Sequence, residues 1–341
     1  MTFTRQSLNI DPRLESDRIG SFLTQTVRNQ LRRNGTVVGT SGGVDSSTVL
    51  AVCTRSFGPE RVRAVIMTEK DSDPDSETLA REVAEYYGVE PVVENLTACL
   101  EALGCYRRRD EAIRRVVPEY DTSRGYRAKI TLPPHLLDED TLNVFSVTVL
   151  GPDGFALTKL LPPREFREIV AASNFKQRTR MAMLYYHAEL TNYAVAGTAN
   201  KNEYDMGFFV KHGDGGVDVM PIAHLYKTQV YQLAEFLRVP QAIQARTPTS
   251  DTYSAPSTQQ EFFFRLPFET LDLLWFAMEN NIQTSEVARA MNLSDAQVNR
   301  AYNDFVRKRR TTEYLRLQPI SLATDGTKQI EPRSRGVDEQ L

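Results

Sequence analysis

A short strand, a glycine-bearing loop and a helix follow one another near the start of the chain, and this unit constrains the fold more than any other feature. Residues 36–40 form a largely β-branched run, residues 41–47 read Ser-Gly-Gly-Val-Asp-Ser-Ser, and residues 47–55 read as a helix. Glycines let the backbone approach a ligand closely, while the hydroxyls and the helix N-terminus supply hydrogen-bond donors. The unit therefore predicts an anion cradle with phosphate as its guest. No lysine follows, so it differs from a Gly-x-x-x-x-Gly-Lys loop.

The alternation of strands and helices continues beyond this unit. Strands are predicted at 62–67 and 91–93 with a helix at 76–87 between them, and a further core strand is predicted at 193–198. This pattern favours an α/β fold, in which a doubly wound parallel sheet is covered by helices on both faces. Ligands in such sheets bind at the carboxyl ends of the strands, which is where the 41–47 loop falls.

The chain is predicted to divide into segments of different character. A first helix begins at an N-cap at Ser16 and ends near Arg33, while two β-rich runs at 144–150 and 155–161 flank a Gly-Pro-Asp-Gly turn, typical of a hairpin. The predicted segments are a first part of the α/β core (1–104), an inserted β-containing subdomain (105–165), a second part of the core (166–275), C-terminal helices (276–316) and a disordered polar tail (317–341).

Composition and charge exclude several classes of protein. The chain has 41 basic and 44 acidic side chains, a net charge of −3, which argues against a basic surface for nucleic acid. It has no apolar run of about 18 residues and no apolar signal segment, so neither a membrane span nor export is expected. Cys53, Cys99 and Cys105 lack metal or disulfide spacing. We therefore expect a cytoplasmic protein.

A second block of sequence identifies a family. It contains Gly-Thr-Ala-Asn-Lys-Asn-Glu at 197–203, Gly-Phe-Phe-Val-Lys-His-Gly-Asp-Gly-Gly-Val-Asp at 207–218, and Leu-Tyr-Lys-Thr-Gln at 225–229. Together with the 41–47 loop, the block resembles the ammonia-dependent NAD synthetases, which belong to the N-type ATP pyrophosphatase (PP-loop) superfamily. The resemblance implies amidation of deamido-NAD (nicotinate adenine dinucleotide). ATP would convert its carboxylate to an adenylate and release pyrophosphate, and ammonia would then displace AMP.

The resemblance also implies roles for individual residues. The ATP-binding positions would be Ser41, Gly42, Gly43, Val44, Asp45, Ser46, Ser47, Thr198, Lys227 and Thr249. Those that bind deamido-NAD would be Asn174, Arg178, Arg180, Lys211, Asp214 and Asp218. Asp45 and Glu203 would hold Mg²⁺, and Asp45, Lys227 and Thr249 would carry the catalytic work of stabilising charge on the pyrophosphate.

The resemblance bears on the nitrogen donor and on assembly as well. Glutamine-using relatives carry a fused glutaminase domain with a catalytic cysteine, whereas fewer than twenty residues precede the predicted core here and the first cysteine is Cys53. Free ammonia, or ammonia from a separate glutaminase subunit, is therefore expected. Family members are homodimers, so a homodimer is expected by resemblance.

The chain departs from the family pattern at several places. The insertion from Cys105 to about Arg164 is longer and richer in β-structure than the family predicts, and Gln177 replaces a small residue. Residues 254–261 lack the usual glycine and acidic pair. These departures leave open an alternative, an amide-forming enzyme on the same scaffold that acts on a different carboxylate.

Two further interpretations remain open from the residues alone. Residues 284–310 have the rhythm of a helix-turn-helix with a basic end, so the chain could be a nucleotide-sensing DNA-binding regulator, although the acidic net charge favours a packed helical pair. Asp71 and Asp73 could mimic a metal cluster, but a loop that caps the following helix is the preferred interpretation.

Overall fold

The computed structural model describes residues 3–139, 143–249 and 252–322. Its strands, numbered in chain order, are β1 (Thr36–Gly39), β2 (Val62–Thr68), β3 (Pro91–Asn95), β4 (Arg127–Thr131), β5 (Ser146–Leu150), β6 (Ala156–Leu160) and β7 (Ala194–Ala196). The helices are α1 (Pro12–Thr24), α2 (Val44–Phe57), α3 (Pro74–Tyr86), α4 (Thr97–Ala102), α5 (Cys105–Val116), α6 (Pro163–Thr191), α7 (Lys201–Met206), α8 (Lys227–Phe236), α9 (Gln241–Gln244), α10 (Phe268–Glu279), α11 (Thr284–Met291), α12 (Asp295–Thr311) and α13 (Glu313–Arg316).

Four strands form a parallel sheet in the order β3-β2-β1-β7. Thr36 at the start of β1 is paired with Val62 of β2 on one side and with Ala194 of β7 on the other, so the carboxyl ends of all three strands lie at one edge. The predicted strands are confirmed, and the last one is shorter than predicted because regular pairing ends at Ala196. The doubly wound α/β prediction is confirmed as well.

Alternation along the strands covers both faces of this sheet. Val38 packs with α1, α2 and α8 in one apolar cluster, whereas its neighbour Val37 packs with Val65, Val195 and Ala188 of α6 on the opposite face. Successive side chains of a strand point to opposite faces, so a strand buried on both sides reads as a continuous apolar run. Among the described residues, no helix is long and apolar enough to cross a membrane.

The N-cap predicted at Ser16 is wrong. Helix α1 begins at Pro12, and Asp11 caps it, since its carboxylate accepts hydrogen bonds from the backbone N–H groups of Arg13 and Leu14 at 3.0 and 3.1 Å. A proline at the first helical position has the required φ and needs no hydrogen-bond acceptor, so Asp-Pro is the stronger start signal. Ser16 lies buried one turn inside the helix.

The insertion contains the predicted hairpin and one strand that the sequence analysis missed. β5 and β6 pair antiparallel, with Ser146 opposite Leu160, and β4 pairs with the other edge of β5. Helix α5 and the first half of α6 cover this three-stranded sheet. Helix α6 then continues along the parallel sheet, so a single 29-residue helix connects the insertion to the core.

Helices α10, α11 and α12 form a third apolar cluster around the fully buried Trp275. The N-terminal residues Phe3 and Leu8 belong to the same cluster. Helix α10 runs across the predicted boundary at 275/276. Of the tail predicted to be disordered, residues 323–341 lie outside the described residues.

Candidate active site

A cavity of about 970 Å³ opens at the carboxyl ends of the parallel strands. Gly39 of β1, Thr68 of β2 and Ala196 of β7 line its floor. The predicted site residues that line the same cavity are Ser41, Gly43, Val44, Asp45, Ser46, Asn174, Arg178, Arg180, Thr198, Glu203, Lys211, Asp214, Lys227 and Thr249. The fold thus brings most of the predicted positions, which are far apart in sequence, to one side of the sheet.

The 41–47 loop is shaped by its own hydrogen bonds. The Ser46 hydroxyl donates to the carbonyl of Gly43 at 3.0 Å and accepts from the backbone N–H of Ser41 at 3.2 Å. Gly42 has a φ of +73°, and a Cβ at this position would lie 2.8 Å from Leu79 Cβ and from the carbonyl oxygen of Ser76. Gly42 is therefore required by close contact with α3, whereas Gly43 faces the cavity.

Two of the predicted ATP-binding residues do not line the cavity. Gly42 lies against α3, as described above, and Ser47 is fully buried in the first turn of α2. The Ser47 hydroxyl has no hydrogen-bond partner among the described residues. Both residues are adjacent in sequence to lining residues, but Gly42 contacts α3 and the Ser47 side chain is buried in α2.

Asp45, Lys227 and Glu203 form a charged group at the base of the loop. The Lys227 ammonium contacts the Asp45 carboxylate directly, and the Asn200 side-chain amide donates to the other Asp45 oxygen at 3.3 Å. Glu203 accepts from the backbone N–H of Asn200 at 3.2 Å and from the Gln259 amide at 3.0 Å. One cation and two carboxylates thus share one end of the cavity.

Electrostatics at this group follow from burial and charge. Burial and the nearby Asp45 carboxylate raise the pKa of Glu203 to about 8. Burial alone would lower the pKa of Lys227, but the carboxylates of Asp45 and Glu203 outweigh burial and hold it above its usual value. The lysine therefore stays charged, whereas Glu203 holds a proton below about pH 8. A further cation at this site would stabilise the charged form of Glu203.

Lys227 is held in place by residues that the sequence analysis missed. Its backbone N–H donates to the Asn202 side chain at 3.0 Å, and Asn202 in turn donates to Asp272 at 2.7 Å. Asp272 also accepts from the backbone N–H of Thr228 at 2.7 Å, and burial raises the pKa of Asp272 to about 6 despite these bonds. A lone aspartate in the apolar run of α10 was the signal for this anchor, because a buried carboxylate needs polar partners.

The arginine-bearing part of α6 forms another wall. Asn174 and Arg178 are one helical turn apart and share a face, and Arg178 donates to the backbone carbonyl of Lys211 at 3.4 Å. Asp214 accepts from the backbone N–H of Val210 at 2.7 Å, which closes a tight turn at the cavity. The Lys211 ammonium donates to the carbonyls of Tyr314 and Leu317 at 3.0 and 2.8 Å.

Asp218 is the one predicted substrate-binding residue that the structure does not bring to the cavity lining. Its carboxylate accepts from the backbone N–H of Val195 at 2.8 Å and from the Tyr185 hydroxyl at 3.1 Å. These bonds attach the segment after Gly216 to the end of β7 and to α6. Asp218 therefore anchors the end of the glycine-rich 207–218 block to β7 and α6.

The basic end of α12 is a second feature that the sequence analysis missed. Arg307, Lys308 and Arg310 line the cavity, whereas the sequence analysis interpreted residues 284–310 as a packed helical pair or as part of a DNA-binding regulator. Lys308 is buried, pairs with Asp304 at 2.7 Å and donates to the carbonyl of Phe263 at 2.6 Å. Burial lowers the pKa of Lys308, and the Asp304 carboxylate offsets only part of this effect.

The acidic run after β2 caps a helix, as preferred from sequence. Asp73 is the N-cap of α3 and accepts from the backbone N–H of Asp75 at 3.0 Å. Asp71 is buried against Arg109 and Lys176. Within the described ranges, no group of three or more His, Cys, Asp or Glu side chains is arranged to hold a metal ion.

Comparisons with known proteins identify the family of the chain. The sequence model of the NAD synthase family matches residues 15–124 and 155–319. The chain is 48% identical over 319 residues to an NH3-dependent NAD⁺ synthetase of Rhizobium meliloti, covering 94% of each chain. It is 47% identical to the enzyme of that name from Mesorhizobium japonicum, over 92% of this chain and 97% of the relative.

Solved structures show the same fold at low sequence identity. An NH3-dependent NAD synthetase from Campylobacter jejuni superimposes with a TM-score of 0.59 and 20% identity, over 92% of this chain and all of that one. An NMN synthetase from Francisella tularensis superimposes with a TM-score of 0.63 and 19% identity, over 93% of this chain and 100% of that chain. The close relatives confirm the predicted carbon–nitrogen ligase of the ammonia-dependent type over both alternatives, and the chain belongs to the NAD synthase family.

Proposed function

We propose that this protein amidates deamido-NAD with ammonia at the expense of ATP and releases NAD⁺, AMP and pyrophosphate. The observation that carries the proposal is the Asp45–Lys227–Glu203 group beneath the 41–47 loop, in the same cavity as the arginine face of α6. One end of the cavity is therefore suited to phosphates, and the other end to an anionic dinucleotide.

The 41–47 loop and Lys227 hold the phosphates of ATP in this proposal. Ser41, Gly43 and Ser46 present small side chains and backbone to the cavity at the start of α2, where the helix N-terminus favours an anion. Lys227 is charged and aimed at the same end, so it offsets the charge that develops on the leaving pyrophosphate. Thr198 and Thr249 add hydroxyl groups at the rim.

The carboxylates of Asp45 and Glu203 fit a magnesium ion. Both are oxygen donors of the kind that Mg²⁺ prefers. Burial and the repulsion from Asp45 raise the pKa of Glu203, and a bound cation would offset both effects. When bound with ATP, Mg²⁺ supplies positive charge that neutralises the phosphates. Asp45 and Glu203 are the residues that would hold it.

The dinucleotide lies along α6 and the 207–218 block in this proposal. Asn174, Arg178 and Arg180 provide hydrogen bonds and positive charge for its phosphates. Lys211 and Asp214 border the same region from the glycine-rich segment, with Asp218 fixing the base of that segment through β7. Basic side chains of α12 complete the positive rim.

The reaction needs two displacements and no covalent enzyme nucleophile. A carboxylate oxygen of deamido-NAD bonds to the α-phosphorus of ATP while the bond from that phosphorus to the bridging oxygen breaks, and pyrophosphate leaves. The lone pair of ammonia then bonds to the acyl carbon, the acyl carbon–oxygen bond breaks, AMP leaves, and the nitrogen loses a proton to solvent. Positioning and charge stabilisation supply the catalysis.

The remaining parts of the proposal concern the setting of the enzyme. We expect a homodimer that uses free ammonia in the cytoplasm, by the resemblance to the ammonia-dependent enzymes. Light scattering on the purified protein measures the oligomeric state, and a molar mass near 39 kDa would contradict the dimer, since one chain is 38.6 kDa.

One assay tests the proposed function directly. Purified protein is incubated with ATP, Mg²⁺, deamido-NAD and ammonium, and NAD⁺, AMP and pyrophosphate are quantified together. The expected result is formation of all three in equal amounts, with none when ATP or ammonium is omitted. Absence of NAD⁺ together with AMP release from another carboxylate would instead support a different acyl substrate on the same scaffold.

A further inference from the structure

The insertion, the start of α6 and the residues that flank the 254–261 segment form an apolar wall of the cavity. This insert wall consists of Ile130, Leu132, Phe145, Phe166, Tyr253 and Phe262, all of which line the cavity that also contains the 41–47 loop. None of these six side chains carries a charge at neutral pH. The cavity therefore has an aromatic and aliphatic side opposite in character to its phosphate end.

Part of this wall lies outside the general model of the family. The family match omits residues 125–154, the range that contains β4, β5 and three of the wall residues, Ile130, Leu132 and Phe145. Relatives that fit the family model without this range must complete the corresponding side of the cavity in another way.

Two separate departures from the family pattern meet in the wall. Strand β4 of the insertion pairs with the altered 254–261 segment, since the backbone N–H of Leu132 donates to the carbonyl of Glu261 at 3.2 Å. The N–H of Ala255 donates to the carbonyl of Ala128 at 3.1 Å. The insertion and the altered segment are therefore one structural unit, and its cavity side carries the wall.

The aromatic rings of the wall are arranged to receive another ring. Phe145 stacks on Phe166 with ring centres 4.7 Å apart and planes 17° apart, and Phe262 lies 5.9 Å from Phe145. These three rings are half-buried, unlike the fully packed Ile130, so they keep surface that faces the cavity. Aromatic faces attract planar rings by stacking and by burial of apolar area.

The wall is fixed rigidly enough to select a ligand. Next to Phe145, the Asn143 side chain accepts from Arg265 at 3.0 Å and donates to the buried Asp304 at 2.8 Å. On the other side, Lys129 pairs with Glu261 at 3.1 Å. Anchored side chains of this kind lose little freedom when a ligand binds, which favours affinity.

We propose that the insert wall is the binding subsite for a heteroaromatic ring of a bound nucleotide substrate. This inference rests on the proposed function, which supplies two sources of such a ring, the dinucleotide and ATP. The wall makes the insertion a specificity-determining element of the reaction cavity.

The test truncates the central ring of the wall. Phe145→Ala and the milder Phe145→Leu are compared with Phe155→Leu. Phe155 is a control in the turn between β5 and β6, and its ring contacts Tyr126 and does not line the cavity. The KM values for deamido-NAD and for ATP are measured separately, each with the other substrate saturating. We expect Phe145→Ala to raise one of them about tenfold, Phe145→Leu to raise it less, and the control to change neither.

The two arms identify the ring. If only the KM for deamido-NAD rises, the wall binds a ring of the dinucleotide. If only the KM for ATP rises, the wall binds the adenine ring of ATP. The inhibition constant of nicotinate mononucleotide, which lacks the AMP half of the dinucleotide, then distinguishes the nicotinate ring from the adenine ring of the dinucleotide.

The outcomes also separate this inference from the proposed function. Unchanged KM values in folded Phe145→Ala and Phe145→Leu would overturn the inference while NAD⁺ formation by the wild-type protein stands. If the wild-type protein forms no NAD⁺, the proposed function fails. The wall is then judged by the Kd of ATP and of deamido-NAD from calorimetry, which Phe145→Ala must weaken for one of them if the inference is correct.

Discussion

Asp45 pairs with Lys227 in the cavity, so a substitution there changes the charge that would face the phosphates of ATP in the proposed function. An amide in place of the carboxylate keeps the shape of the side chain but cannot balance a metal ion or the lysine. We predict that Asp45→Asn lowers kcat/KM by about 100-fold or more, a loss typical of removing one electrostatic group at a reacting centre. Steady-state assays of NAD⁺ formation measure this effect.

The control for Asp45 is a carboxylate of the same type outside the cavity. Asp17 forms an exposed pair with Arg55 at 3.1 Å, and Asp17→Asn should leave turnover unchanged. Full activity of Asp45→Asn would contradict both the metal role and the phosphate role given to this residue.

The titration of Glu203 should be visible in the pH dependence of the free energy of unfolding. Its pKa is about 8 in the folded protein and near 4.5 when unfolded, so the folded state binds more protons between these values and stability falls as pH rises from about 4.5 to 8. Glu203→Gln removes this dependence. From pH 5 to pH 8, we predict that the free energy of unfolding of the variant rises relative to that of the wild type by on the order of 2 kcal/mol. The size follows because a tenfold change in proton affinity corresponds to about 1.4 kcal/mol.

Chemical denaturation of both proteins at pH 5, 6.5 and 8, without metal or nucleotide, measures that difference. A gap between variant and wild type that stays constant across the three pH values would show that Glu203 titrates normally. Glu261→Gln is a suitable control, because its carboxylate pairs with Lys129 outside this charged group and its pKa lies below the ordinary value.

At the scale of a single element, the loop between β1 and α2 gives a testable prediction. Gly42 combines a φ of +73° with contacts of 2.8 Å from an added Cβ to α3, so Gly42→Ala must move the loop or the helix. We expect a stability loss of about 2–3 kcal/mol and a weakened affinity for ATP. Gly125→Ala is the matched control. Gly125 has a φ of +82°, but no atom lies within 4 Å of an added Cβ, so this variant loses stability only through the unfavourable backbone conformation. Equal losses in the two variants would rule out the steric contact with α3.

Elements with local signals could be predicted from sequence, and those defined by distant partners could not. The β1 loop, the hairpin of β5 and β6 and the glycine-rich 207–218 block have turn or strand patterns that are complete within a few residues. Strand β4 was missed because its pairing partner and its covering segment lie elsewhere in the chain. The roles proposed for Lys227 and Glu203 come from the family resemblance, because no local pattern contains them.

Side-chain direction was the other limit of sequence reasoning. The basic end of α12 reads as a solvated face because its arginines are consecutive and charged, yet Lys308 is buried beside Asp304 and the cavity. Asp218 reads as part of a binding block, yet its carboxylate is bonded to β7 and α6. Burial of a charge depends on partners brought by other helices, which a single sequence does not place.

At the scale of the whole molecule, a buried cluster of charged side chains connects the segments that surround the cavity. Lys176 of α6 lies 2.8 Å from Glu69, 2.7 Å from Asp71 and 2.7 Å from the carbonyl of Thr252, and Arg109 of α5 also contacts Asp71. The cluster joins the segment after β2, the insertion and the loop beyond Thr249. Burial would raise the pKa of Asp71, but the two cations outweigh burial and hold it below its usual value.

Removing one cation from this cluster should lower the free energy of unfolding of the protein. Lys176→Met keeps the length of the side chain but leaves Glu69 and Asp71 buried with one cation fewer, and breaking such a pair costs about 3–5 kcal/mol. We predict a loss of stability of this size by denaturant unfolding, whereas Arg81→Met, which breaks the exposed pair with Glu77, costs at most about 0.5 kcal/mol. The double variant Lys176→Met/Asp71→Asn should lose less than the sum of its single changes, because it also removes the carboxylate that Lys176 neutralised. Additive losses would mean that the cluster does not act as a unit and that the insertion is held to the core by its apolar contacts alone.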